Sequence, residues 1–147
     1  MTENKRIVLS SDHSALDLRA AIKAHITAAG WEAVDIGPTT TESTHYPIHG
    51  KAAADLVASG DCRFGIIICG TGQGIMMAAN KVPGIRCGVC SETFSARMIR
   101  QHNDANMLSI GTRTTGEGLA LDIVDAFLNA EFEGGRHATR ADMIEAV

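Results

Sequence analysis

At 147 residues with a net charge of −4, the chain is long enough to bury a core of its own and lacks the basic excess of a protein that grips phosphate backbones. Its 45% hydrophobic and 20% charged residues are those of a globular chain, and no apolar run approaches the roughly 20 residues a bilayer span needs. One domain over residues 1–147 is expected, with neither nucleic acid nor membrane as partner, and the start MTENKRIVLSSDH has no apolar leader, which makes the cytoplasm the expected location.

Arg6 to Ser11 is a short β-branched run and the predicted first strand, ending at the polar pair Asp12 and His13. Leu18, Ile22 and Ile26 recur at helical spacing, so Ala15 to Ala29 reads as an amphipathic helix closed by Gly30. Trp31 to Ile36 is a second strand stopped by Gly37 and Pro38, followed by a polar, threonine-rich loop of the kind that borders a site. Ile48 to Ser59 reads as the second helix.

Phe64 to Lys81 is the most informative stretch. Ile66, Ile67 and Ile68 form the continuous run of a strand covered on both faces, and the chain then turns through Gly70, Gly72 and Gly74 into a helix over Gly74 to Lys81. Unhindered N–H groups where a helix begins can hold an anion or a developing negative charge. Cys69 stands at the strand end beside them, where a helix N-terminus favours the thiolate, so it reads as a base or a nucleophile. The bland alternative for the same glycines is a tight structural turn. Their spacing, CGTGQG, is neither the dinucleotide fingerprint nor a phosphate loop of the GxxxxGK[ST] type.

Ile85 to Cys90 is the predicted fourth strand, with Ser91 as N-cap of a helix that sets Phe94 and Met98 on one face. Cys87 and Cys90 make a CxxC, but on a strand residues three apart point to opposite faces, so they read as two buried small hydrophobes rather than a metal or redox pair. His102, Asn103, Asp104 and Asn106 form a polar cluster before a fifth strand, Met107 to Ile110; His102 reads as a proton carrier or as a surface cap. Gly118 to Asn129 is the fifth helix, and a glycine hinge then leads to a terminal amphipathic turn or two in which Arg136 and Arg140, four apart, suit either a phosphate dianion or a solvated basic face. His45 and His49 are also four apart, but Pro47 lies between them and no third ligand has suitable spacing, so no metal site is expected.

Alternating strands and helices imply a three-layer α/β/α, Rossmann-like sandwich on a five-stranded, mostly parallel sheet. Ligands bind such sheets outside the carboxyl ends of the strands at a switch in strand order, so Asp12 and His13 meet Cys69 to Gly74 if strands one and three are neighbours.

The segments SSDH at 10–13, HYP at 45–47, ICGTGQG at 68–74, AANK at 78–81, CSE at 90–92, RQHNDAN at 100–106, IGTR at 110–113 and EGGRH at 133–137 together resemble the type B ribose-5-phosphate isomerases, the sugar-phosphate isomerase family that includes allose- and galactose-phosphate isomerases. The resemblance implies strand order 2-1-3-5-4, no metal or other cofactor, a C-terminal helical arm from about residue 133, and a homodimer or tetramer whose subunits share active sites. It implies aldose–ketose isomerisation, ribose 5-phosphate to ribulose 5-phosphate above all, through a cis-enediolate. Cys69 would be the base, since Ile75 stands where some members carry a glutamate instead. The N–H groups of Gly70, Thr71, Gly72, Gln73 and Gly74, with the Thr71 hydroxyl, would hold the enediolate. His102 would open the sugar ring, Asp12 and Asn103 would bind hydroxyls with Tyr46 beside the sugar, and His13, Arg113, Arg136 and Arg140 would bind the phosphate. Ser14, Ala15, Leu16 and His45 depart from the common family pattern around the sugar, so a four- or six-carbon sugar phosphate stays open as substrate, as does a non-catalytic module that binds a phosphate ligand.

Overall fold

The computed structural model describes residues 3–147; Met1 and Thr2, the first positions of the expected domain and of the start read for a leader, lie outside the described residues. Five strands, β1 (Arg6–Ser11), β2 (Glu32–Asp35), β3 (Phe64–Cys69), β4 (Cys87–Val89) and β5 (Met107–Gly111), pair in parallel in the order β2-β1-β3-β5-β4. The central strand β3 is buried along its whole length, which is why its isoleucines run without polar interruption. Ile66 and Ile68 pack beneath α1 (Leu16–Ala28), α4 (Thr93–Gln101) and α5 (Glu117–Leu128); Ile67 and Cys69 face α2 (Tyr46–Ala58) and α3 (Gln73–Ala79). Each fully buried isoleucine contributes roughly 1.5–3 kcal/mol of apolar burial. A sixth helix, α6 (Arg136–Glu145), returns toward the edge strand, where Glu145 pairs with Arg86 just before β4, Nη1 to Oε1 at 2.5 Å.

Several expectations change in detail. α2 begins at Tyr46 rather than Ile48, because Pro47 falls in the first turn, where its missing N–H costs nothing. The N-cap of α4 is Glu92, not Ser91: its carboxylate accepts from the Ser95 N–H at 3.0 Å, a charge-assisted cap that also holds the Glu92 carboxyl below its usual range. Phe94 and Met98 do share a face of α4, but Phe94 is 62% exposed and the buried residues are Ala96 and Arg100. Arg100 enters the core because Asp104 Oδ1 and the Ala105 carbonyl, both at 2.8 Å, take its hydrogen bonds while its guanidinium lies 4.9 Å from the Phe64 ring centroid. The terminal turn or two is a full helix from Arg136 to Glu145.

The two cysteines of the CxxC do face opposite ways, although the fourth strand is Cys87–Val89 rather than Ile85–Cys90 and Cys90 lies just past its end. Cys87 belongs to the core beneath α2 and α3 and Cys90 to the opposite core, both as free thiols. Burial, with Glu92 adding to it, pushes the Cys90 thiol up to about 11, and burial pushes Cys87 up as well, so both stay protonated near neutrality.

Candidate active site

β1 and β3 are neighbours, with Ser11 opposite Ile68 and the Asp12 N–H donating to the Ile68 carbonyl at 3.1 Å. The pair Asp12–His13 and the turn after Cys69 therefore meet at one end of the sheet, where the chain runs on from β1 to β2 on one side and from β3 to β4 on the other. Cys69 is 5% exposed, and its carbonyl accepts from Thr112 N–H at 2.9 Å, locking the strand end to the end of β5.

The turn that follows is built on close backbone contact. Gly72 has φ of +78° and its carbonyl accepts from Ser109 Oγ at 2.7 Å; a methyl group there would fall 2.9 Å from both the Ile110 carbonyl carbon and Val89 Cγ2. A methyl at Gly74 would fall 2.5 Å from Tyr46 Cζ, so the tyrosine ring rests on the first turn of α3. Among the described residues the N–H groups of Gly70, Thr71, Gly72 and Gly74 donate to no protein acceptor, whereas Gln73 N–H leans on Thr71 Oγ1 at 3.4 Å. Four N–H groups of the turn are thus unengaged and Gln73 is partly engaged, and the Thr71 hydroxyl, which accepts there, keeps its own proton to donate. Arg113 is exposed and its stem borders Gly70, with Cδ 3.4 Å from where a methyl would sit.

The end of β1 supplies the polar wall. Asp12 caps the short 3-10 turn His13–Ala15: its Oδ1 accepts from Ser14 N–H at 2.9 Å and Ser14 Oγ at 2.5 Å, and its Oδ2 has no protein partner among the described residues. His13 Nδ1 accepts from Thr44 N–H at 3.1 Å, which places the imidazole proton on Nε2, the atom turned away from the protein bond. Thr44 also bonds His49 Nε2 through its hydroxyl at 2.9 Å. The threonine-rich loop is thus a rim fastened to the site. His49 is held below histidine's usual range, by burial first, with Arg19 and His13 adding to the effect and Asp12 opposing it. The one grouping of three or more His, Cys, Asp or Glu side chains with metal-ligand spacing among the described residues lies elsewhere.

That other grouping marks the largest difference between the residue list and the fold. His102 ends α4 at the opposite end of the sheet, where Asn106 donates to the Arg86 carbonyl just before β4 and β5 begin. Four residue steps of β5, roughly 13 Å at strand rise, separate Met107 from Gly111. Within one chain His102 and Asn103 therefore do not reach Cys69. His102 instead stacks on His137 with ring centroids 4.2 Å apart, and Glu133 Oε1 stands 3.6 Å from His102 Nε2 and 3.9 Å from His137 Nε2. Arg136 and Arg140 are exposed beside this cluster and enter no ion pair among the described residues.

Arg19, Thr44 and Glu133 carry no role in the sequence reading, and Ser14 figures there only as a departure from the family pattern. Arg19 is buried at the sheet end, donating to Ser11 Oγ at 2.5 Å and to the Pro38 carbonyl and pairing with Asp35 at 3.0 Å, so it fastens the ends of β1 and β2 together. Nothing local distinguishes it from a surface arginine of a helix. Glu133 did carry a signal, its spacing of four from His137.

A parallel sheet with a thiol and an anion-holding turn at its switch point is a frame for moving protons on small anionic molecules. The family model described as Ribose/Galactose Isomerase matches residues 7–144, and the chain belongs to this family. It is 48% identical over 143 residues to ribose-5-phosphate isomerase B of Escherichia coli, covering 97% of this chain and 96% of that protein. Ribose-5-phosphate isomerase B of Clostridium thermocellum superposes with a TM-score of 0.94 at 51% identity over 96% of this chain and 95% of that one. The ribose-5-phosphate isomerase B of Mycoplasma genitalium with bound ribulose-5-phosphate superposes with a TM-score of 0.92 at 39% identity, covering 96% of this chain and 94% of that one.

Proposed function

We propose that the protein interconverts ribose 5-phosphate and ribulose 5-phosphate, as one isomerase domain with α6 as its C-terminal arm, in a homodimer whose subunits complete each other's sites. The observation that carries this is the Cys69 thiol at the end of β3 beside a turn in which the N–H groups of Gly70, Thr71, Gly72 and Gly74 have no protein acceptor among the described residues. The likeness to ribose-5-phosphate isomerases B supports the five-carbon substrate.

The residues divide the work by chemistry. His102 of the partner subunit moves a proton at the ring oxygen and opens the sugar, while Asp12 and Asn103 of the partner subunit hold its hydroxyls. The Cys69 thiolate takes the proton from C2, and the C1 carbonyl oxygen accumulates negative charge as the C1–C2 double bond forms. The N–H groups of the Gly70 to Gly74 turn, with the Thr71 hydroxyl, stabilise that charge without reorganising. A proton passes from O2 to O1, C1 takes back the proton from Cys69, and the carbonyl now stands at C2. His13 Nε2 and Arg113 bind the phosphate with Arg136 of the partner subunit and Arg140 of the partner subunit, and the Tyr46 ring walls the sugar.

Incubation with aldose phosphates of four, five and six carbons in heavy water tests this directly. Deuterium is expected at C1 or C2 of the product, fastest with the five-carbon sugar. Binding without exchange points to a non-catalytic module, and faster exchange on another chain length moves the substrate while keeping the reaction. Arg136→Ala and Arg140→Ala each remove a charge-assisted contact worth about 1.5–3 kcal/mol. Each is expected to raise KM for the sugar phosphate about 10- to 100-fold with a smaller change in kcat; a KM equal to that of the parent removes the residue from the phosphate site.

A further inference from the structure

We propose that His102, Glu133 and His137 bind a zinc-class transition-metal cation, and that this cation inhibits the isomerase by taking the Nε2 lone pair of His102. The inhibitory half rests on the role assigned to His102 above; the binding half stands on geometry alone.

The ligand atoms of the three side chains lie within 4.8 Å of one another. A tetrahedral zinc ion with bonds of about 2.0–2.1 Å needs ligand atoms roughly 3.4 Å apart. Glu133 Oε1 is already 3.6 Å and 3.9 Å from the two Nε2 atoms; the stacked imidazoles have to tilt apart so that both in-plane lone pairs converge on one ion, and the exposed His102 is the ring with room to turn. The groups come from separate elements yet are held in place by backbone: His102 N–H donates to Met98 at 2.8 Å, Glu133 N–H to Gln101 at 3.0 Å, and His137 N–H to Gly134 at 3.1 Å. His137 is buried and aimed at its partners, while His102 and Glu133 remain open enough to admit an ion and leave a position for water or an anion.

The donor set also selects the metal. Two imidazoles and one carboxylate suit zinc, copper or nickel and not magnesium or calcium, which take oxygen ligands. Arg136 and Arg140 are exposed beside the three ligands. The same arginines repel a cation, so the site is an acquired, reversible one rather than a structural centre.

Titration of the chelator-treated full chain with cobalt(II), followed by its visible absorption and then displaced with zinc, tests the site. One equivalent per chain is expected, with the spectrum of nitrogen and oxygen ligands. Glu133→Gln and His137→Asn should each weaken it at least about 10-fold, whereas Cys69→Ala should leave it in place and so separate it from thiol binding. Absence of saturable binding, or equal binding by the Glu133→Gln and His137→Asn variants, overturns the site. In parallel, isomerisation by the parent should fall in proportion to zinc occupancy and recover with chelator. Full occupancy with undiminished turnover overturns the inhibition, and with it the role of His102, while leaving the site.

Discussion

Cys69→Ala is expected to lower kcat about 10²- to 10⁴-fold, the range a positioned general base contributes, with KM for the sugar phosphate almost unchanged. The side chain is 5% exposed at the end of a strand fastened by its own carbonyl to Thr112, so its removal leaves the turn, the Asp12 wall and the phosphate contacts where they are. The loss falls on the transition state because the proposed phosphate and hydroxyl contacts lie on other residues. Cys69→Ser should fail almost as badly, since a hydroxyl keeps the shape but not the acidity of a thiol. Deuterium exchange at C1 and C2 must fall with turnover; exchange at the parent rate in either variant means another group carries the proton.

Mixing two inactive variants should restore activity. Cys69→Ala and His102→Asn are each expected to be inactive as homodimers, because every site then lacks one of its groups. In a two-fold dimer with shared sites, re-association at equal amounts makes half the dimers mixed, and each mixed dimer has one site with both groups intact, so about a quarter of the parent activity should return. The reason lies in the sheet: Cys69 lies opposite Gly111 in the β3–β5 pairing, whereas His102 precedes the other end of β5. A proton donor has to stand about 2.6–3.2 Å from its acceptor, and this distance is unattainable across the sheet within one chain. Mixing that restores nothing, under conditions where subunits exchange, would assign the ring-opening proton to a group on the Cys69 side.

Much of this was legible because it is local. The isoleucines of β3, the glycine turn and the thiol are neighbours in the chain, so their burial and their contact follow from pattern and turn chemistry. The two faces of the CxxC followed from the strand period in the same way. What was illegible is set by distant pairing. That β1 and β3 are neighbours was conditional until the sheet existed, and the location of His102 at the far end depends on the direction of α4 across the sheet. Periodicity put Phe94 and Met98 on one face without revealing which face the core takes, and the core chose Ala96 and the aromatic bed under Arg100 instead. Glu92 displaced Ser91 as cap because a carboxylate two-pronged on one N–H outcompetes a hydroxyl one residue earlier.

The contact of Tyr46 with Gly74 has a kinetic consequence. Tyr46 opens α2 and closes the loop whose Thr44 holds His13 and His49, and its ring rests on the first turn of α3. With phosphate and enediolate bound as proposed above, a fluctuation that lifts the ring is expected to loosen the loop at His13 and the glycine turn together. Ligand capture should then quiet amide exchange in residues 39–46 and 70–74 as a single cooperative unit, so that arrival of the sugar phosphate and completion of the charge-holding turn are one event in time.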